Sequence, residues 1–111
     1  MKNPFQILVG EQLGCVIFVQ DYLQLDFDGH MLSCYVWPRV KIENEIVDFG
    51  SPDYRNKLCL FIAKIVTHTV LIDDQKFEIH FQSGEQLEII LEGIRGEAIY
   101  FTTVGGEWSS I

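Results

Sequence analysis

Tyr22-Leu23-Gln24-Leu25-Asp26-Phe27-Asp28-Gly29-His30-Met31-Leu32-Ser33-Cys34-Tyr35 is the stretch that decides the fold. Apolar and polar residues alternate on both sides of Asp28-Gly29, and a period of two marks a half-buried strand. Asp-Gly suits a two-residue type I′ turn, whose central residues both take positive φ. Strands are therefore predicted from Tyr22 to Asp28 and from His30 to Trp37, the second ended by Pro38, which cannot donate to a ladder. A two-residue loop also fixes the register. Leu25 faces Leu32, Leu23 faces Cys34 and Phe27 faces His30 on the core side. The other face pairs Tyr22 with Tyr35, Gln24 with Ser33 and Asp26 with Met31, with Trp37 beyond.

Downstream, Ser51 is positioned to cap a helix, Pro52 suits its first turn, and Asp53 complements the positive end of its dipole. Tyr54, Leu58, Phe61, Ile62 and Ile65 then recur at helical spacing and define one buried stripe. Asp53, Asn56, Lys57 and Lys64 occupy the opposite face, with Leu60 as the one apolar residue among them. After the helix the pattern returns to strands. Thr67–Ile72 and Lys76–Gln82 flank Asp73-Asp74-Gln75, Gln86–Glu92 returns after Ser83-Gly84, and Ala98–Val104 ends at Gly105-Gly106. The odd-numbered inward positions Phe77, Ile79, Phe81 and Leu87, Ile89, Leu91 require an odd-length loop between them. Pairing Phe81 with Leu87 would place His80 opposite Glu88, and Trp108 is expected to fold back onto the sheet.

About three strands before Ser51 and about four after it give an α+β domain. The expected architecture is one curved, largely antiparallel sheet of about six or seven strands, left open or curled into a partial barrel, packed on a single helix. One helix leaves much of such a sheet bare, so its outer face meets either water or another chain.

The chain has 111 residues, room for a single domain, and its 48% hydrophobic content excludes a disordered segment. A net charge of −8, divided evenly between the two halves, disfavours nucleic acid and anionic membranes as partners. No apolar run approaches the ~20 residues of a membrane span or forms a signal-peptide core. Cys15, Cys34 and Cys59 are widely spaced, with no CxxC pair, and read as reduced and mostly buried thiols of a cytoplasmic protein.

The residues carry little chemistry. Asp26, Asp28 and His30 resemble the opening of a calcium loop, but the closing glutamate and flanking helices are missing, and His30 falls on the opposite face from Asp26. His80 with Glu88 reads as a cross-strand surface pair rather than an acid–base pair. Cys59 lies within the helix, away from the N-terminal end that stabilises thiolates, and Ser33 has no neighbouring base. Arg95, in the loop Glu92–Glu97, is a solvated arginine or an anchor for a ligand carboxylate. No catalytic, cofactor-binding or metal-binding residue is assigned, no cofactor is expected, and the pattern leans away from an enzyme.

What remains is a set of surface residues. Tyr22, Tyr35, Trp37 and Leu60 are the interface candidates, because immobilised aromatic rings dominate binding hot spots. The competing structural reading packs these aromatics under Phe5, Ile7 and Leu8 or under the loop from Glu43 to Phe49.

Val19-Gln20-Asp21-Tyr22-Leu23-Gln24-Leu25-Asp26-Phe27-Asp28-Gly29, followed by Tyr35-Val36-Trp37-Pro38, Gly50-Ser51-Pro52-Asp53-Tyr54-Arg55 and Gly106-Glu107-Trp108, resembles a family of small uncharacterised bacterial proteins of this size. The resemblance implies a bacterial cytoplasmic origin and carries over no catalytic residue. The function expected is a non-enzymatic interaction module, self-associating as a homodimer or binding another protein. One version is an acidic antidote that captures a basic partner, a process that a charge of −8 would speed. The alternative is a small-ligand domain or minor enzyme using a cleft between sheet and helix, with His30 and Cys34 as its inward polar groups.

Overall fold

A computed structural model describes residues 3–111. Its strands are β1 (Cys15–Phe18), β2 (Leu23–Phe27), β3 (His30–Cys34), β4 (Arg39–Ile42), β5 (Glu45–Val47), β6 (Val66–Ile72), β7 (Lys76–Phe81), β8 (Gln86–Ile90), β9 (Ile99–Thr102) and β10 (Trp108–Ser110). A 3-10 turn (Pro4–Leu8) precedes them, and one helix, α1 (Tyr54–Cys59), separates β5 from β6.

The central hairpin forms as its alternation dictates. Leu23 pairs with Cys34, Leu25 with Leu32 and Phe27 with His30, while Gln24 meets Ser33 and Asp26 meets Met31. Asp28 and Gly29 take φ of 53° and 98°, as a type I′ turn requires. Gly29 has a second reason to lack a side chain: a Cβ there would lie 2.6 Å from Cγ2 of Val104.

The strands divide into two antiparallel sheets rather than one. The N-terminal sheet has the order β1-β2-β3-β9-β10 and the C-terminal sheet β5-β4-β8-β7-β6, each five-stranded and neither closed into a barrel. Period-two patterning records which residues face inward but not which strands share a sheet, and β9 pairs with β3 across a long separation, with Ile99 against Cys34. The inner faces share one apolar core. Phe5 of the N-terminal turn reaches both sheets, its ring 4.3 Å from Phe77 and 5.3 Å from Phe101.

The helix is correspondingly short. Ser51 does not cap it; Asp53 holds the N-cap position without a side-chain bond, and the Ser51 carbonyl accepts from Tyr54 N in a preceding turn. Beyond Cys59 the chain tightens into bonds from Leu60 N to Lys57 O, Phe61 N to Leu58 O and Ile62 N to Cys59 O. Ala63 then takes φ of 79° and donates to Leu13 O, while Leu13 N donates to Lys64 O. Pairing with the N-terminal segment thus replaces continued helix. Tyr54, Leu58 and Phe61 are buried as expected, but Ile62 and Ile65, whose inward placement needed a longer helix, are exposed.

The β7–β8 register also differs from expectation. Its parity is even, but Ile79 rather than Phe81 faces Leu87, so His80 faces Gln86 and Glu78 faces Glu88. The tighter loop prevails. Phe81 N donates to Glu85 O and Gly84 N to Phe81 O, with Gly84 at φ 92°, the three-residue hairpin geometry that places glycine last. Trp108 does fold back, pairing with Thr102 of β9.

Candidate functional site

Each sheet presents a distinct outer face. On the N-terminal sheet the outward ladder runs Ile17, Gln24, Ser33, Tyr100 and Ser110, beside a second row of Cys15, Asp26, Met31, Thr102 and Trp108. Across these ten positions Asp26 is the only charged residue, and its carboxylate is occupied by Gly29 N at 2.8 Å. Two aromatic pairs lie on this face. Tyr22 and Tyr35 have ring centroids 5.4 Å apart, and Tyr100 stacks on Trp108 at 6.0 Å and 25°. Partial desolvation, then the negative charge of Glu97 and the neighbouring Tyr22 and Tyr100 phenols, push the Tyr35 hydroxyl above its ordinary pKa. Tyr35 lies two residues beyond Ser33, the cross-strand partner of Tyr100, so the two aromatic pairs belong to one face. Tyr35 is 43% exposed and Trp108 65%.

Of the interface candidates, Tyr22 and Tyr35 meet as the register requires, but Trp37 does not join them. The strand ends at Cys34, three residues earlier than the alternation implied, and the chain turns away. Trp37 instead stacks on Phe49 at 4.4 Å and 15°, and both rings meet Tyr54 edge-on. Tyr54 donates its hydroxyl to the Pro38 carbonyl, locking this cluster to the start of β4. The Glu43–Phe49 segment thus packs against Trp37, while Phe5 and Leu8 go to the core. Leu60 stands apart from both groups and is 54% exposed. Sequence reasoning missed Tyr100 as a member of the aromatic face, because only the β3–β9 pairing brings it beside Ser33. The one available signal was Gly105-Gly106, which turns Trp108 back across its own strand.

The outer face of the C-terminal sheet is ionic. Glu78 and Glu88 face each other across β7 and β8, only 8% and 4% exposed. Lys41 Nζ lies 3.0 Å from Glu88, Arg39 Nη1 and Lys76 Nζ each 3.6 Å, and Lys76 Nζ also 3.0 Å from Glu78. His80 Nε2 completes the group 2.9 Å from Glu78, and its ring stacks on His68 at 4.1 Å. Burial alone would raise the Glu78 carboxyl, but hydrogen bonds from His80 and Lys76 outweigh it and hold the pKa below the ordinary value. His80 and Glu78 thus form a hydrogen-bonded pair on one strand. Thr67 Oγ1 lies 3.2 Å from His68 Nδ1 and donates to the His80 carbonyl.

The other residues weighed for chemistry are separated. Asp26 points outward while His30 is buried on the inner face, where Nδ1 accepts a hydrogen bond from Val104 N at 3.2 Å. Among the described residues no three His, Cys, Asp or Glu side chains cluster as a metal site. Ser33 Oγ accepts from Gln24 Nε2. Only Cys34 is a buried thiol; Cys15 and Cys59 are exposed, the latter because it closes the shortened helix. Among the described residues no helix is long and apolar enough to cross a membrane.

Compared with protein-family models, curated proteins and solved structures, the chain finds no match. A functional reading therefore rests on these two faces.

Proposed function

We propose that this protein is a non-enzymatic interaction module of a bacterial cytoplasm that self-associates through the outer face of its N-terminal sheet. The observation that carries this reading is the Tyr100–Trp108 stack, solvent-facing beside Tyr22 and Tyr35 on a nearly uncharged surface. Stacked rings are already immobilised, so burying them costs little further side-chain entropy.

A second copy is the occupant that the charge distribution favours. At −8 each, two copies repel wherever their acidic surfaces meet, and across the ten ladder positions of this face Asp26 is the only charge, with Glu97 at its border beside Tyr35. A neutral, self-complementary patch suits a two-fold interface, in which the same surface serves both partners. The ionic sheet is the less suitable face, because its carboxylates are already satisfied by its own cations.

Hydrogen–deuterium exchange across a protein concentration series tests the reading. Protection rising with concentration over β2, β3, β9 and β10, with β6 and β7 unchanged, supports it. Protection confined to the C-terminal sheet, or none, rejects it. The second reading, an acidic antidote for a basic protein, draws on the net charge and on carboxylates such as Asp21, Asp53 and Glu92 that lie outside the ion pairs of the described residues. It requires binding that weakens steeply with salt.

A further inference from the structure

A cleft of about 310 Å³ opens between the β6–β7 turn and the segment from Leu91 to Ala98, remote in sequence from α1. Leu71, Leu91, Ile94, Ala98 and Ile111 give it apolar walls. Asp73 and Asp74, both exposed, complete the lining together with Gly96. Main-chain bonds join these walls. Leu91 N and Glu92 N both donate to Gln75 O, fastening the turn to the loop, and Ile111 exchanges hydrogen bonds with Ile99. The cleft is thus formed before any ligand arrives, as small-molecule sites usually are, and its volume lies at the lower end of their range.

Its chemistry is one-sided. Neither aspartate forms an ion pair with a lysine, arginine or histidine among the described residues, although every lysine among them does pair with a carboxylate. The protein's field concentrates cations around such carboxylates. Apolar walls beside two uncompensated negative charges are complementary to a molecule with an apolar body and a positive end. Arg95 sits between Ile94 and Gly96 in the chain but does not line the cleft, and Lys76, just beyond the turn, is paired with Glu78 and Glu88.

We propose that this cleft binds a small organic cation, its apolar body held between Leu71, Leu91, Ile94 and Ile111 and its ammonium or guanidinium group facing Asp73 and Asp74. This site is separate from the aromatic face and does not depend on self-association.

The test is a chemical-shift titration of the intact protein with hexylammonium, hexanol and hexanoate. The proposal expects saturable shifts confined to residues 71–75, 91–99 and 111. Hexylammonium should bind roughly two- to five-fold tighter than hexanol, the advantage one exposed ion pair provides, and hexanoate weakest. Asp73→Asn with Asp74→Asn should bring hexylammonium down to the affinity of hexanol and leave hexanol unchanged. Asn tolerates the φ of 62° at position 74, so the variant keeps its turn. Three outcomes overturn the proposal: no saturable shift at these residues with any probe, hexanoate binding as well as hexylammonium (which would give the charge preference to Arg95), or a double variant with undiminished preference for the ammonium.

Discussion

Glu78 and Glu88 stand directly opposite each other on β7 and β8, and Lys76 Nζ reaches both, at 3.0 and 3.6 Å. Like charges in cross-strand register are ordinarily destabilising. Here the shared lysine, with Lys41 and Arg39 on Glu88 and His80 on Glu78, turns the clash into a ladder. Replacing Lys76 by Met removes the shared cation while keeping the aliphatic stem. The urea midpoint should fall, because the change leaves two facing carboxylates, both largely shielded from water, without the cation they share. Urea unfolding measures it, and an unchanged midpoint would mean the ladder contributes nothing.

The same ladder sets a pH dependence. The Glu78 carboxyl is held below its ordinary value of 4.5, so the folded state binds fewer protons than the unfolded chain in that range. Its contribution is fully present above pH 4.5 and is lost as pH falls through the lowered folded-state value. Glu78→Gln should flatten the acid limb of the stability curve measured by thermal unfolding between pH 6 and pH 3. An identical slope in the variant would contradict the assignment.

Thiol reactivity should separate the cysteines. Burial pushes the Cys34 thiol up to about 12, and it has no solvent exposure, whereas Cys15 and Cys59 are exposed. A thiol reagent at neutral pH should label Cys15 and Cys59 in the folded protein and Cys34 only on unfolding. Rapid labelling of Cys34 under native conditions would mean that β3 is not packed as described.

Two substitutions test the shortened helix. Phe61 has no exposure and meets Phe81 edge-on at 5.0 Å, so Phe61→Ala should cost about 3–5 kcal/mol. Ile65→Ala, at a position the longer helix would have buried, should cost less than about 1 kcal/mol beside it. Equal losses at both sites in chemical denaturation would restore the longer helix.

The contrast between the hairpin and the helix shows what was legible and why. Asp28-Gly29 and the flanking alternation determine register locally, so every pair from Leu23–Cys34 to Phe27–His30 follows from neighbouring residues. The helix was over-extended because Tyr54, Leu58 and Phe61 bury the same side chains whether the last turn is α-helical or a series of tighter turns. What ends it, Ala63 pairing with Leu13, is a contact across fifty residues. The aromatic face was half legible for the same reason. Tyr22 and Tyr35 belong to one hairpin, whereas Tyr100 and Trp108 join them only through β9, and Trp37 leaves because β3 stops early. The facing of Glu78 and Glu88 escaped notice because a two-residue shift in one loop moves Glu88 from opposite His80 to opposite Glu78.

Trp37 and Trp108 should behave differently. Trp37→Ala removes the stack on Phe49 and the edge contact with Tyr54, and should lower the free energy of unfolding by about 2–4 kcal/mol without altering the association state. A loss of association without loss of stability would return Trp37 to the interface.

The most direct test of the central claim is light-scattering mass on a size-exclusion column for the native protein and for Trp108→Lys, at low and high salt. Trp108 is exposed at the end of the sheet, so the variant should fold normally. The account predicts twice the 12.8 kDa chain mass for the native protein, undiminished by salt, and a monomer for the variant. A native monomer at every concentration, a dimer that dissolves in high salt, or a dimer that survives Trp108→Lys would contradict it.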